Sequence, residues 1–181
     1  MKILFDIQDR DELAVLFGRL SYKIGAEIGV KRGAYSECLV KTIPSLTLYS
    51  IDPWIAYSGS QQVSQDRYYA RAVKRLTAYN VKILKKTSME ALNNIQDNGL
   101  DFVYIDALHD FDNVYADIIG WTKKVRIGGI VAGHDYTYPN GVTQAVDKYV
   151  EENIVALNIT KEGQLPSAKA DGLQLPLRRP R

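Results

Sequence analysis

Both histidines of the chain stand beside acids, in Asp106-Ala-Leu-His109 and in His134-Asp135. A carboxylate with an imidazole three residues further on supplies the residue types of general acid–base chemistry, since an unperturbed imidazole changes charge at about pH 6.5. Asp110, Asp112 and Asp117 add acids close by. Asp110 and Asp112 read more readily as residues of a solvated turn, or as caps of the next helix, than as part of that chemistry.

A second constellation lies earlier, in AEIGVKRGAYS, with the spacing Glu27-x-Gly29-x-x-x-Gly33. Enzymes that bind dinucleotides set their glycines closer, as G-x-G-x-x-G, so that a helix N-terminus meets a pyrophosphate. S-adenosylmethionine carries no phosphate; it offers an amino-acid end, a sulfonium and an adenosine. Such a ligand needs glycines for close backbone approach and an acid near its positive charges, and Glu27, Gly29 and Gly33 supply both. The same segment also reads as an ordinary strand-to-helix turn. Asp52, 19 residues past Gly33, could accept hydrogen bonds from both ribose hydroxyls of a nucleoside. That role suits NAD and S-adenosylmethionine alike, and capping the turn before Pro53 is its structural alternative.

These residues need elements to hold them, and the chain alternates strand and helix signals throughout. Residues 9–20 place Leu13, Leu16, Phe17 and Leu20 at helical spacing behind Asp9 as N-cap. Strands are expected over residues 23–30, 46–51, 81–84, 100–105 and 130–132, with 154–160 as a sixth. Helices are expected over 34–42, 67–79, 88–95, 113–123 and 141–152, the third of them capped by Thr87 or Ser88. Residues 54–66 read as a loop or mobile cover, and RIGG as a turn. Five alternations predict an α/β fold, Rossmann-like and doubly wound, with a mainly parallel sheet and helices on both faces. In such sheets ligands sit beyond the carboxyl ends of the strands. Glu27 to Gly33, Asp52, Asp106 and His134-Asp135 all fall there.

The bulk properties agree. A chain of 181 residues with 46% hydrophobic and 24% charged residues fits one globular domain. We expect that domain over residues 1–160, and over 161–181 a C-terminal segment that is a mobile tail or an edge strand. A net charge of +2 gives no reason to expect a nucleic-acid partner. Cys38 alone can form no internal disulfide, nothing reads as a signal peptide, and no apolar run reaches the ~20 residues of a membrane helix. A cytoplasmic protein is expected.

With AEIGVKRGAYS, YSIDPW and the long segment DFVYIDALHDFDNVYADIIGWTKKVRIGGIVAGHDY in order, the chain resembles the class I S-adenosylmethionine-dependent methyltransferases. Within them it is similar to the small group of macrolide-sugar and catechol O-methyltransferases, from about Leu13 to Val150. The resemblance implies that Glu27, Gly29 and Gly33 line the methionine end of the cofactor and Asp52 holds the ribose. It implies Ser88 and Met89 beside the adenine, with Asp106 bordering the cofactor. In metal-dependent members the positions of Asp106 and of His134-Asp135 bind magnesium, which implies a divalent-cation site here. Magnesium prefers oxygen ligands, so His134 also allows a softer ion, or contact with substrate. A histidine at the position of His109 acts as base in some sugar-modifying members, with Asp106 as its catalytic partner. The implied acceptor is a small-molecule hydroxyl, of a sugar or phenol, and relatives are often homodimers. Relatives close the sheet with an antiparallel hairpin, for which residues after Thr160 show little strand signal.

Two other readings of the fold remain, an NAD-dependent oxidoreductase and a non-catalytic adenosylmethionine-binding protein. Trp54, Tyr57, Tyr68 and Tyr69 read either as an aromatic lid or as packing residues. Arg67, Arg71, Lys74 and Arg75 read as a solvated helix face or as a grip on an anionic acceptor.

Overall fold

A computed structural model describes residues 7–136, 141–160 and 171–176. Its sheet contains β1 (Ile24–Ile28), β2 (Thr47–Ile51), β3 (Val81–Leu84), β4 (Leu100–Ile105), β5 (Val125–His134), β6 (Asn158–Ile159) and β7 (Asp171–Pro176). The strand order is β3-β2-β1-β4-β5-β7-β6. β1 to β5 run parallel, and β7 lies antiparallel to both β5 and β6. The fold is therefore the Rossmann-like, doubly wound α/β architecture that the alternating pattern predicts. Between β1 and β4 the strand order reverses, which opens a crevice at the carboxyl edge where ligands bind in such sheets.

The pleat sorts the core. Along β4, Phe102 and Tyr104 face one side while Val103 and Ile105 face the other, and all four are buried. On the first side α1 (Arg10–Arg19) and α2 (Ala34–Thr42) bring Leu13, Phe17 and Leu39. Phe17 stacks on Phe102 with ring centroids 4.1 Å apart, a contact worth about 0.5–1.5 kcal/mol beyond the area it buries. On the second side lie α4 (Ser88–Ala91), α5 (Phe111–Lys124) and α6 (Gly141–Asn153), with Ile118, Trp121, Val146 and Tyr149 inward. Asp9 caps α1 by accepting from the Glu12 N–H, and Asp110 caps α5 by accepting from that of Asn113. Thr87 caps α4.

Several elements differ from the sequence reading. α3 (Gln62–Leu76) begins within the expected loop and ends before Tyr79. Its inward stripe holds Gln65, Ala72 and Leu76, and a buried glutamine gives no hydrophobic signal. The preceding segment is tied down as well. Trp54 is fully buried beside Val30, Ala72 and Leu76, so it belongs to the core and not to a lid. The Gln62 side chain accepts from the Ala56 N–H and donates to the Trp54 carbonyl, each at 3.0 Å. β5 starts five residues early, running through the expected RIGG turn with a register irregularity against β4 and Gly128 at φ +79°. Such a bulge imitates a turn in sequence. In the C-terminal segment, residues 171–176 are an inner strand. Residues 161–170 and 177–181, on which the tail reading also falls, lie outside the described residues.

No helix among the described residues is long and apolar enough to cross a membrane.

Candidate active site

β1 delivers Glu27 and the loop after it. Glu27 is buried, accepts a hydrogen bond from the Ser36 hydroxyl at the start of α2, and Ser36 lies 2.7 Å from Ser50 of β2. Burial pushes the Glu27 carboxyl up to about 8, opposed by the Ser36 hydrogen bond. A raised acid keeps its proton in the folded protein over a range where the unfolded chain has lost it. Stability therefore falls as pH rises from the ordinary carboxyl range to about 8, and levels off above it. Glu27→Gln keeps the shape without the charge. Relative to the parent it is expected to gain on the order of a few kcal/mol between pH 5 and 8, read as parallel urea titrations. An unchanged difference across that range would refute the buried-carboxyl account.

Beyond Glu27 the chain turns through Gly29 at φ +92° and Gly33 at φ +72°, the second serving as N-cap of α2. Asp52, at the end of β2, accepts from the Lys31 N–H through Oδ2 and from the Trp54 N–H through Oδ1, both at 2.8 Å. The Trp54 indole N–H in turn donates to the Lys31 carbonyl at 2.8 Å. Asp52 thus caps its turn and ties the loops after β1 and β2 together, and its carboxylate retains acceptor capacity for a ligand. Burial raises its pKa, against the hydrogen bonds from the backbone.

Ser88 opens α4. Its hydroxyl donates to the Asp117 carboxylate and accepts from the Trp121 indole N–H at 2.8 Å, so the side chain is committed to α5. Met89 is exposed.

The other half of the site comes from β4 and β5. The Asp106 N–H donates to the Ile28 carbonyl at 2.8 Å, which fixes the end of β4 against the end of β1. His109 Nε2 lies 3.1 Å from Asp135 Oδ2 and 3.7 Å from Asp106 Oδ1. His134 Nδ1 lies 3.0 Å from Asp135 Oδ2. Four residues from two strand ends thus converge. Asp106, His134 and Asp135 each offer one ligand atom within 4.8 Å of the others, and the buried Asp135 Oδ1 has no hydrogen-bond partner among the described residues. Two carboxylates, one of them with an orphaned oxygen, fit a divalent cation; an imidazole in the same group does not suit magnesium.

The electrostatics of this cluster differ from an isolated imidazole. Asp106 and then Asp135 hold the proton on His109, raising it to about 9 against the effect of burial. Burial disfavours the Asp135 carboxylate, yet His109 and His134 outweigh it and hold its carboxyl well below the usual range. At neutral pH His109 is therefore an imidazolium between two carboxylates, not the neutral base that its ordinary pKa suggests.

Sequence reasoning missed Ser36, Ser50 and the supporting role of Asp117. The signal for Ser36 was present in GAYSE, one turn into the helix after the glycine loop. Burial pushes Asp117 up to about 6, and its short-range sequence gives no sign of Ser88 as partner. Of the basic residues on α3, Arg75 is used within the fold: it pairs with Glu37 at 3.1 Å and donates to the Arg32 carbonyl.

Residues 26–136 match a protein family described as a methyltransferase domain. A curated protein of Sinorhizobium fredii (strain NBRC 101917 / NGR234), described as "Uncharacterized protein y4gI", is 25% identical over 119 residues. The match covers 60% of this chain and only 12% of that protein's length. Among solved structures, an rRNA methylase from Streptococcus thermophilus has a TM-score of 0.70 at 12% identity, with 99% of this chain and 100% of that chain covered. The O-methyltransferase TomG from Streptomyces achromogenes, involved in tomaymycin synthesis and solved in complex with SAM, has a TM-score of 0.64 at 18% identity. That match covers 92% of this chain and 78% of the other. At these identities the structural likeness is one of fold.

Proposed function

The chain belongs to the methyltransferase domain family, and on that premise we propose that it moves the methyl group of S-adenosylmethionine to a small-molecule hydroxyl, of a sugar or phenol. The observation that carries this reading is the position of Asp106. Its main chain abuts the glycine loop of β1, and its carboxylate faces His109. A cofactor over the loop would therefore meet an acid–base cluster at its reactive end. TomG, an O-methyltransferase of the same fold with S-adenosylmethionine bound, supports the choice of donor and acceptor.

In this reading Gly29 and Gly33 let the backbone approach the methionine end, Glu27 lies beneath it, and Asp52 accepts from the ribose hydroxyls. Met89 borders the adenine, with Ser88 holding α4 in place. S-adenosylmethionine, when bound there, would supply an electrophilic methyl group for in-line transfer to an acceptor oxygen aimed by the strand-end cluster. Alignment alone contributes up to about 7–11 kcal/mol in ideal intramolecular cases. The hydroxyl proton passes to His109 Nε2, which must first shed the proton that Asp106 and Asp135 hold on it. Asp106, His134 and Asp135 would hold a divalent cation, which when bound stabilises the negative charge developing on the acceptor oxygen. The lone Cys38 suits a reducing, cytoplasmic setting.

Thermal-shift titration tests the donor. Saturation with S-adenosylmethionine or S-adenosylhomocysteine at about 100 times Kd adds about 2.7 kcal/mol of stability, a rise of several degrees, and NADH adds nothing. Radiolabelled methyl transfer to a panel of sugars and phenols then tests the acceptor. If neither adenosyl compound shifts the melting temperature, the reading ends. A shift without transfer leaves a protein that binds the cofactor without using it.

A further inference from the structure

Magnesium is the cation implied by the resemblance, and one member of the donor set disagrees with it. Asp106 lies just past the end of β4, while His134 closes β5 and Asp135 follows it. Asp135 takes φ +60°, a left-handed turn that brings its carboxylate back to 3.0 Å from the imidazole of the residue before it. Both side chains are largely enclosed, and Asp135 as a whole is 8% exposed. Asp135 Oδ1 is enclosed with no hydrogen-bond partner among the described residues, an arrangement that costs stability unless something binds it. The imidazole is no bystander at the rim, because one of its ring nitrogens lies within 4.8 Å of the ligand oxygens of both carboxylates.

Magnesium takes oxygen donors in near-octahedral geometry and gives up its waters reluctantly. Imidazole nitrogen suits first-row transition ions, and one face of nitrogen and carboxylate donors leaves the opposite positions open for substrate. We propose that the cation of this site is a transition dication of the manganese-to-zinc class, bound by Asp106, Asp135 and a nitrogen of His134, in preference to magnesium. The inference rests on the methyltransferase reading for its purpose, but its donor set stands on the geometry alone. His134 selects the ion, and the two carboxylates hold it.

The test uses chelator-treated protein saturated with S-adenosylhomocysteine, titrated with manganese and with magnesium by calorimetry. Pulsed electron paramagnetic resonance on the bound manganese reads nitrogen coupling directly. The parent is expected to bind manganese more tightly than magnesium, which yields its waters reluctantly, and to show 14N modulation. His134→Asn puts an amide oxygen in place of the ring nitrogen; it is expected to lose the modulation and most of the preference. Its melting temperature with S-adenosylhomocysteine checks that it remains folded. Absence of nitrogen coupling in the parent, coupling that persists in His134→Asn, or no binding of either ion overturns the proposal. Binding of S-adenosylhomocysteine in the same samples separates that failure from failure of the methyltransferase reading.

Discussion

Gly29→Ala is expected to lower the melting temperature by roughly 5–15 °C and to abolish binding of S-adenosylmethionine. A Cβ at this position would stand 1.9 Å from the Asp106 carbonyl oxygen and 2.5 Å from its carbonyl carbon. Both are backbone atoms at the end of a central strand, so no side chain can swing away. The residue also sits at φ +92°, where a side chain is strained by about 1–2 kcal/mol. Overpacking a tight contact adds about 1–3 kcal/mol. To relieve the contact, the ends of β1 and β4 must separate, and those ends carry both the cofactor loop and Asp106. Gly59→Ala is the control, since Gly59 has a similar φ of +82° but nothing within 4 Å of an added Cβ. Comparable melting temperatures for the two variants, with cofactor affinity kept in both, would show that the approach of the two strand ends does not matter.

His109→Ala should lower kcat by about 10²–10⁴ while cofactor affinity stays within about twofold. The imidazole is half exposed and pairs with the two carboxylates, which stand apart from Ser88 and from the Asp52 turn. Its removal should therefore leave the adenosine and methionine ends of the site undisturbed. Kd for S-adenosylhomocysteine from calorimetry, set beside kcat, separates the two effects. A fall in affinity equal to the fall in turnover would move His109 from proton transfer to cofactor binding.

Residues that obey a simple period were readable in the sequence. α2, β3 and β4 coincide with their expected bounds, because LDFVYI alternates between two buried faces and AYSECLVKT lies between a glycine cap and a proline. The fold class followed from the alternation of such segments. What escaped depends on partners distant in sequence. α3 hides its first turn behind a buried glutamine, and Trp54 looks like a loop aromatic until Ala72 and Leu76 close over it. β7 gains its place from two neighbouring strands, since its own sequence, DGLQLP, carries glycine and proline. At the site, the grouping of Asp106, His109, His134 and Asp135 followed from their common place at strand ends. Their charge states did not, because the proton on His109 depends on distances to two carboxylates that only the folded chain sets.

The order β5-β7-β6 has a consequence for synthesis. A chain leaving the ribosome delivers β1 to β5 first, and each can pair with a strand already present or about to appear. β6 emerges next, yet in the finished sheet it is hydrogen-bonded to β7 and not to β5. Until residues 171–176 arrive, the outer edge of β5 offers unpaired amide and carbonyl groups, and the nascent β6 must be kept from taking the vacant berth. Two residues of strand are too short to seal it, so the late strand closes an opening that an early one is too small to occupy. During that interval the growing chain resembles an unfinished sheet with an adhesive rim, the state in which neighbouring copies most readily join strand to strand.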